Sequence, residues 1–175
     1  GEDVTQNALV IPDIRRKIDL PGYVELRGEV YMSHEDFEKF NAQQEEAGKK
    51  TAANPRNLAA GTLRQLDSRV VKKRGLKMLV FNVQDARENG ADLMESHTGG
   101  LEILQKNGVA CVPHTLCETP EQVLAAIDAI GEGRGNLAYD LDGAVVKIDQ
   151  VAYRADFPAG SKYSAGHIAY KYPPE

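Results

Sequence analysis

The stretch Leu76-Lys77-Met78-Leu79-Val80-Phe81-Asn82-Val83 limits the fold more than any other feature of the sequence. It is an apolar run broken only by Lys77 and Asn82, with Gly75 before it and polar residues from Gln84 onward. A short apolar run bounded in this way predicts a buried strand. Other segments have to supply its neighbours. Residues 23–32 read as a strand after the turn Pro21-Gly22, and residues 144–148 and 167–172 as two more, the last ending at Pro173-Pro174.

Helices fall between these strands. Residues 2–11 carry Val4, Ala8 and Ile11 at helical spacing before Pro12. Ser33, with Asp36 three residues on, caps a helix with Phe37 and Phe40 on its buried stripe, ending near Gly48. Asn54-Pro55 opens another, through Leu58, Ala59, Leu63 and Leu66, and residues 101–106 form a further short one. Thr119-Pro120-Glu121-Gln122 is a capping box ahead of Val123, Leu124, Ile127 and Ile130, with Gly131 as the stop. The strands follow neither an even βαβ alternation nor a run of hairpins. An α+β fold, with mixed α/β order, is therefore predicted.

At 175 residues the chain suits one domain, residues 1–175, with enough length to bury a core. No run of about 18 apolar residues is present, so no membrane span is expected. The first residues, Gly1-Glu2-Asp3-Val4-Thr5, are neither basic nor apolar, which predicts no secretory leader and a cytoplasmic location. Cys111 and Cys117 bracket His114, short of the four ligands of a structural zinc site. They read as free thiols of a reducing compartment, and no metal site is predicted.

Net charge is −5, which at first speaks against a nucleic-acid partner. The distribution argues otherwise. Between residues 47 and 74 stand Lys49, Lys50, Arg56, Arg64, Arg69, Lys72, Lys73 and Arg74 against the single acid Asp67, a local balance of +7. Such a segment makes either a phosphate-binding face or a solvated surface without a partner. On a helix Arg56 and Arg64 lie about 80° apart and can lean over one side together.

Strand alternation puts Glu25, Arg27 and Glu29 on one face, with Gly28 opposite, where a mid-strand glycine signals close approach by a ligand or another backbone. Gly143, Val145 and Lys147 share a face, so apolar neighbours should partly desolvate Lys147. Lys171, within Ala169-Tyr170-Lys171-Tyr172-Pro173, repeats that pattern. Two such lysines and Glu29 suit a nucleotide, with cations for phosphate and a carboxylate for ribose. Gly131-Glu132-Gly133-Arg134-Gly135 does not fit the dinucleotide fingerprint. His34, His97, His114 and His167 show no metal-ligand spacing, and neither GxSxG nor HExxH occurs.

Four motifs in order carry a resemblance. They are Leu26-Arg27-Gly28-Glu29-Val30, the fourteen residues 54–67, Asp142-Gly143-Ala144-Val145-Val146-Lys147 and Ala169-Tyr170-Lys171-Tyr172-Pro173. Together they resemble the successive motifs of the bacterial NAD-dependent DNA ligase adenylation domain, and Gly1-Glu2-Asp3-Val4-Thr5-Gln6-Asn7 resembles the family segment ahead of them. The resemblance runs the whole length. It implies a nucleotidyltransferase fold of antiparallel sheets flanked by helices, the core shared by DNA ligases and mRNA capping enzymes, here incomplete. It also implies NAD as AMP donor, Mg2+, nicked duplex DNA as partner, and roles in DNA replication and repair; the chain itself is expected to be monomeric.

In that family a lysine attacks the α-phosphate of NAD and keeps the AMP. The AMP passes to the 5′-phosphate at a nick, and the 3′-hydroxyl then displaces it. Carried over by motif, Glu29 would contact the ribose, Phe81 would stack on adenine, and Lys147 and Lys171 would flank the AMP. Arg134 matches a family arginine that meets AMP phosphate, and Arg56 and Arg64 match ones that meet nick phosphates. The nucleophilic lysine of the family sits in a Lys-x-Asp-Gly motif absent from this chain. Lys17-Ile18-Asp19-Leu20 and Lys147-Ile148-Asp149-Gln150 lack the glycine, and Asp140-Leu141-Asp142-Gly143 lacks the lysine. We therefore read the chain as a piece starting downstream of that motif, inactive on its own and without the family's other domains. Two alternatives stay open: another nucleotidyltransferase, such as an ATP-dependent or RNA ligase, or a non-catalytic module that binds nucleotide and DNA.

Overall fold

The computed structural model describes residues 1–88, 93–158 and 164–174. It is a mixed α+β fold with small antiparallel sheets. The buried run is the strand β2, Lys77–Arg87, paired antiparallel with β1, Tyr23–Tyr31. On its other edge Val80 makes a bridge to Cys111. The second sheet pairs β3, Gly143–Lys147, with β4, His167–Lys171, again antiparallel.

Helix starts follow local chemistry. α1 is one turn, Thr5–Ala8, much shorter than the predicted 2–11. α2, His34–Glu46, is capped by Ser33, which accepts from the Asp36 amide. α3, Pro55–Leu63, is capped by Asn54 and begins at the proline. α5, His97–Lys106, is capped by Ser96, and α6, Pro120–Glu132, by Thr119. Each cap satisfies one of the amides that a first helical turn leaves without a partner.

One expectation fails here. Residues 58–66 do not form one helix, because α3 stops at Leu63 and Arg64 is its C-cap. Asp67 then caps a separate helix, α4, Ser68–Arg74, which ends on Gly75 in the left-handed conformation. Leu66, expected within the helix that opens at Asn54-Pro55, lies in the connecting turn, fully exposed to solvent.

Among the described residues two apolar clusters hold the fold. In one, Val80 and Val83 of β2 meet Leu93, Leu101, Leu104, Val109 and Cys111, so α5 lies against the sheet. In the other, Ile11, Met32, Ala59, Val71 and Leu76 join the N-terminal segment to α3 and α4. Met78 touches both clusters.

The two sheets are tied through the start of α5. Backbone amides of His97 and Val151 donate to Asp149 and Glu95, at 2.8 and 3.1 Å. The Asp149 carboxylate accepts from the Thr98 amide at 2.8 Å. At the far end of β4, the ring of Tyr172 packs on Gly131 of α6, and its hydroxyl donates to the Ile127 carbonyl. Gly131 thus lies within α6 rather than ending it. Among the described residues no helix is long and apolar enough to cross a membrane.

Candidate nucleotide and nucleic-acid site

The register of β1 against β2 slips twice. Glu25 faces Asp85 while Leu26 faces Val83, and Arg27 faces Asn82 while Gly28 faces Val80. Gln84 and Phe81 are therefore the extra residues of two bulges, features that bend a strand and re-aim side chains. At Gly28 the expected gap is already filled. An added Cβ would sit 2.9 Å from the Leu79 carbonyl and 3.1 Å from Met78. The glycine serves the close approach of β2's backbone, and the ligand alternative finds no space there.

The bulge at Phe81 has a chemical consequence. Lys147, the last residue of β3, donates from Nζ to the Phe81 carbonyl at 3.0 Å and stands 5.4 Å from the centre of the Phe81 ring. These two predicted residues are thus brought together. Burial, reinforced by the positive charge of Arg154, lowers the Lys147 ammonium from its ordinary value to about 8.

Lys171 lies on the same face of the second sheet. It pairs with Gly143 while Lys147 pairs with His167, so the two lysines mark opposite ends of one ladder, roughly 13 Å apart at ~3.4 Å per residue. Arg134 reaches the Lys171 end. Its guanidinium donates to the Pro173 carbonyl at 3.3 and 3.4 Å and lies 4.8 Å from the centre of the Tyr172 ring. Glu29 is exposed on β1 opposite Leu79, in the second pair beyond the Phe81 bulge.

Two further groups at this site escaped the sequence reading. Arg154 donates from Nε to the Ile148 carbonyl at 2.9 Å, and His167 stands directly opposite Lys147. Arg154 Nη2 and His167 Nε2 are buried and have no hydrogen-bond partner among the described residues. Buried polar atoms without partners are rare in native folds and call for a water, an ion or a ligand group. Burial, with Lys147 and Arg154 nearby, also lowers the His167 imidazole below its ordinary value. The side chains around Lys147 therefore offer donors and positive charge, a set that fits an anion. Arg154 had no motif to flag it, and the position of His167 depends on strand register.

From Arg56 onward the basic segment occupies α3, α4 and the turn between them, and its surface is part of what they present. Arg56 lies exposed on the first turn of α3, and Arg64 is exposed at its end, 4.0 Å from Glu2. Lys72 and Lys73 are exposed on α4, and Arg69 is bonded to Asp67 at 2.9 Å. Arg74 is turned inward, donating to the Thr62 hydroxyl at 2.9 Å and stacking over Phe40 at 4.8 Å. Asn7, itself buried, holds this face in shape: its Nδ2 donates to the carbonyls of Leu63 at 2.8 Å and Gln65 at 2.6 Å. Among the described residues no three His, Cys, Asp or Glu side chains gather to hold a metal ion.

A family model for the NAD-dependent DNA ligase adenylation domain matches residues 1–175. Curated proteins named DNA ligase are similar throughout the chain. The protein from Clostridium kluyveri is 43% identical over 100% of this chain and 26% of its own length. Those from Clostridioides difficile and Dinoroseobacter shibae are 40% and 44% identical over 100% of this chain, which spans 26% and 24% of their lengths. The chain thus spans about a quarter of the length of these relatives. Since the family match takes in β1, the basic face and both lysine-bearing strands together, the chain belongs to the NAD-dependent DNA ligase adenylation domain family.

Proposed function

We propose that this chain, itself monomeric, is part of a cytoplasmic NAD-dependent DNA ligase that seals nicks in duplex DNA during replication and repair. The chain supplies residues that bind AMP and contact the nick. The observation that carries this reading is the meeting of Lys147 with Phe81 beside the partnerless nitrogens of Arg154 and His167. NAD, when bound, supplies the adenylyl group. Phe81 offers a ring to adenine, Glu29 a carboxylate to the ribose, and Lys147 and Lys171 cations at the two ends of the nucleotide. Arg134 meets phosphate at the Lys171 end. Arg56 and Arg64 take DNA phosphates.

Charge and positioning supply most of the catalysis in transfers of this kind. A lysine at about 8 keeps most of its charge at neutral pH, with little hydration to shed when phosphate arrives. Any Mg2+ would arrive with the phosphates, held by their oxygens and water rather than by a cage of side chains. The chain contains no Lys-x-Asp-Gly motif, so we assign the nucleophilic lysine to a segment outside it. Incubation of this chain with NAD, followed by intact-mass measurement, tests the assignment. No gain of an AMP mass is expected, and a stoichiometric adduct on Lys17 or Lys147 overturns it. Filter binding of adenylated nicked DNA, weakened by Lys147→Ala, tests the nucleotide site itself.

A further inference from the structure

Leu66 is the most exposed large apolar side chain among the described residues, at 105% relative exposure. Single exposed leucines are common on protein surfaces, but most sit on ground that other side chains cover in part. This one stands at the tip of the turn between α3 and α4, and that turn is held from two directions. Asn7 donates to the carbonyls on either side of Arg64, at 2.8 and 2.6 Å. The Gln65 amide donates to the Thr62 carbonyl at 3.1 Å, and the Asp67 carboxylate accepts from the Arg69 amide at 2.9 Å. Thr62 beneath it is wholly buried and bonded to Arg74. The leucine therefore cannot fold back onto its own core without breaking these bonds.

Its surroundings decide what can cover it. Arg64 and Arg69 flank it with side chains 62% and 89% exposed, the first 4.0 Å from Glu2 and the second bonded to Asp67, and the exposed Lys72 and Lys73 that follow on α4 leave the balance positive. A protein partner would have to desolvate that cluster of positive charge to reach the leucine. Duplex DNA meets the same cluster with phosphates and offers an apolar target between its base steps. Leucine is one of the side chains that enter the minor groove and part a base step, and parting costs least where the stacking is already weakened. A nick, where one strand is discontinuous, is such a place.

Resting on the reading of this chain as a nick-contacting part of a ligase, we propose that Leu66 is an apolar wedge that enters the minor groove beside the nick, with the Asn7-braced turn as its rigid mount. The leucine then senses the looseness of the nicked step, and the arginines around it fix the register on the backbone. Unbroken duplex resists the wedge and is bound less well.

The test uses the full-length protein carrying this chain and a fluorescein-labelled nicked duplex, with binding followed by anisotropy against salt. Leu66→Ser removes no packing, so its melting temperature stays at the wild-type value. It should weaken nicked-duplex binding by roughly tenfold to a hundredfold, the worth of covering one leucine. The slope of log K against log salt should not change, because no phosphate contact is lost. With 2-aminopurine placed at each step around the nick, the wild type should brighten one step and Leu66→Ser none. Arg56→Ala serves as the contrast and should lower the salt slope by about one. If Leu66→Ser binds within twofold of wild type while Arg56→Ala lowers the slope, the wedge is wrong and the ligase reading stands. A lowered melting temperature with unchanged binding places Leu66 against protein and also overturns the wedge. Wild-type binding that does not depend on salt removes the nick-contact reading and the wedge with it.

Discussion

Lys147 donates from its ammonium to the carbonyl oxygen of Phe81 across 3.0 Å, and this bond joins the last residue of β3 to the bulge of β2. The register skips Phe81, so that residue has no opposite number on β1. The bulge thereby gives one residue two uses. Its carbonyl anchors the lysine, and its ring stands beside the same cation. A regular ladder would have left the carbonyl and ring of Phe81 aimed as on any other strand residue.

Replacing this lysine separates stability from function. In the folded chain the ammonium titrates near 8, below its ordinary value, so the unfolded chain binds the proton more tightly. Stability is therefore full above the unfolded value of about 10.4, falls as pH drops toward 8, and carries the whole cost at pH 7. Lys147→Met should remove that dependence. Denaturation at pH 7 should find the variant at least as stable as wild type, by up to about 2 kcal/mol after screening by nearby water is allowed for. Nucleotide binding should drop by an order of magnitude or more. A wild-type stability that stays flat between pH 8 and 10 in comparison with the variant would contradict the buried charge.

His97 should govern the acid side. Burial, helped by the positive Lys147 and Arg154 and opposed by Asp149, lowers its imidazole to about 4, with His114 adding slightly to the shift. A histidine depressed in the fold gives stability that is complete above pH 6.5 and lost as pH falls toward 4. His97→Gln keeps the backbone bond to Asp149 and should flatten this loss, by about 1–2 kcal/mol at pH 4 relative to wild type. Urea denaturation at pH 7 and at pH 4.5 distinguishes the two chains: they should differ little at the first and measurably at the second.

What could be read from the sequence was local. Ser33, Asn54 and Thr119 announced their helices because a cap acts over three residues, and the structure has all three as caps. Lys147 is partly desolvated as its apolar strand implied, but its contact is with Phe81 of β2, while Val145 on its own face is exposed. What could not be read depends on partners far away in the chain. The bulges at Phe81 and Gln84 exist only in the pairing of β1 with β2, and His167 meets Lys147 through the register of β4. Asn7 looked like one polar residue in a short helix, yet its amide serves carbonyls 56 and 58 residues away. Leu66 misled because helical spacing continued past the point where Arg64 ends α3.

Asn7 should matter beyond its size. Asn7→Ala removes both donors and leaves the Leu63 and Gln65 carbonyls to find water, at a cost of about 1–3 kcal/mol. The larger effect should be local, in the turn that carries Arg64. Hydrogen exchange of amides 64–67 should speed up well beyond the global change, while the amides of β2 follow global stability alone. Uniform acceleration throughout the chain would mean that Asn7 only adds to overall stability and does not hold the turn.

Gly28→Ala distinguishes two explanations for a glycine in the middle of β1. The structure puts Leu79's carbonyl 2.9 Å from where the new Cβ would stand, with Met78 at 3.1 Å. Met78 can swing aside, but the carbonyl belongs to the paired strand and can move only if the ladder moves. Overpacking of this kind costs about 1–3 kcal/mol. The variant should unfold at lower temperature, and whatever remains folded should bind nucleotide with wild-type affinity, because Glu29 and the Phe81 bulge are still in place. Saturation binding of AMP, scaled to the folded fraction from circular dichroism, measures this. An alanine variant that melts like wild type yet no longer binds nucleotide would show that the glycine leaves room for the ligand and not for the neighbouring strand.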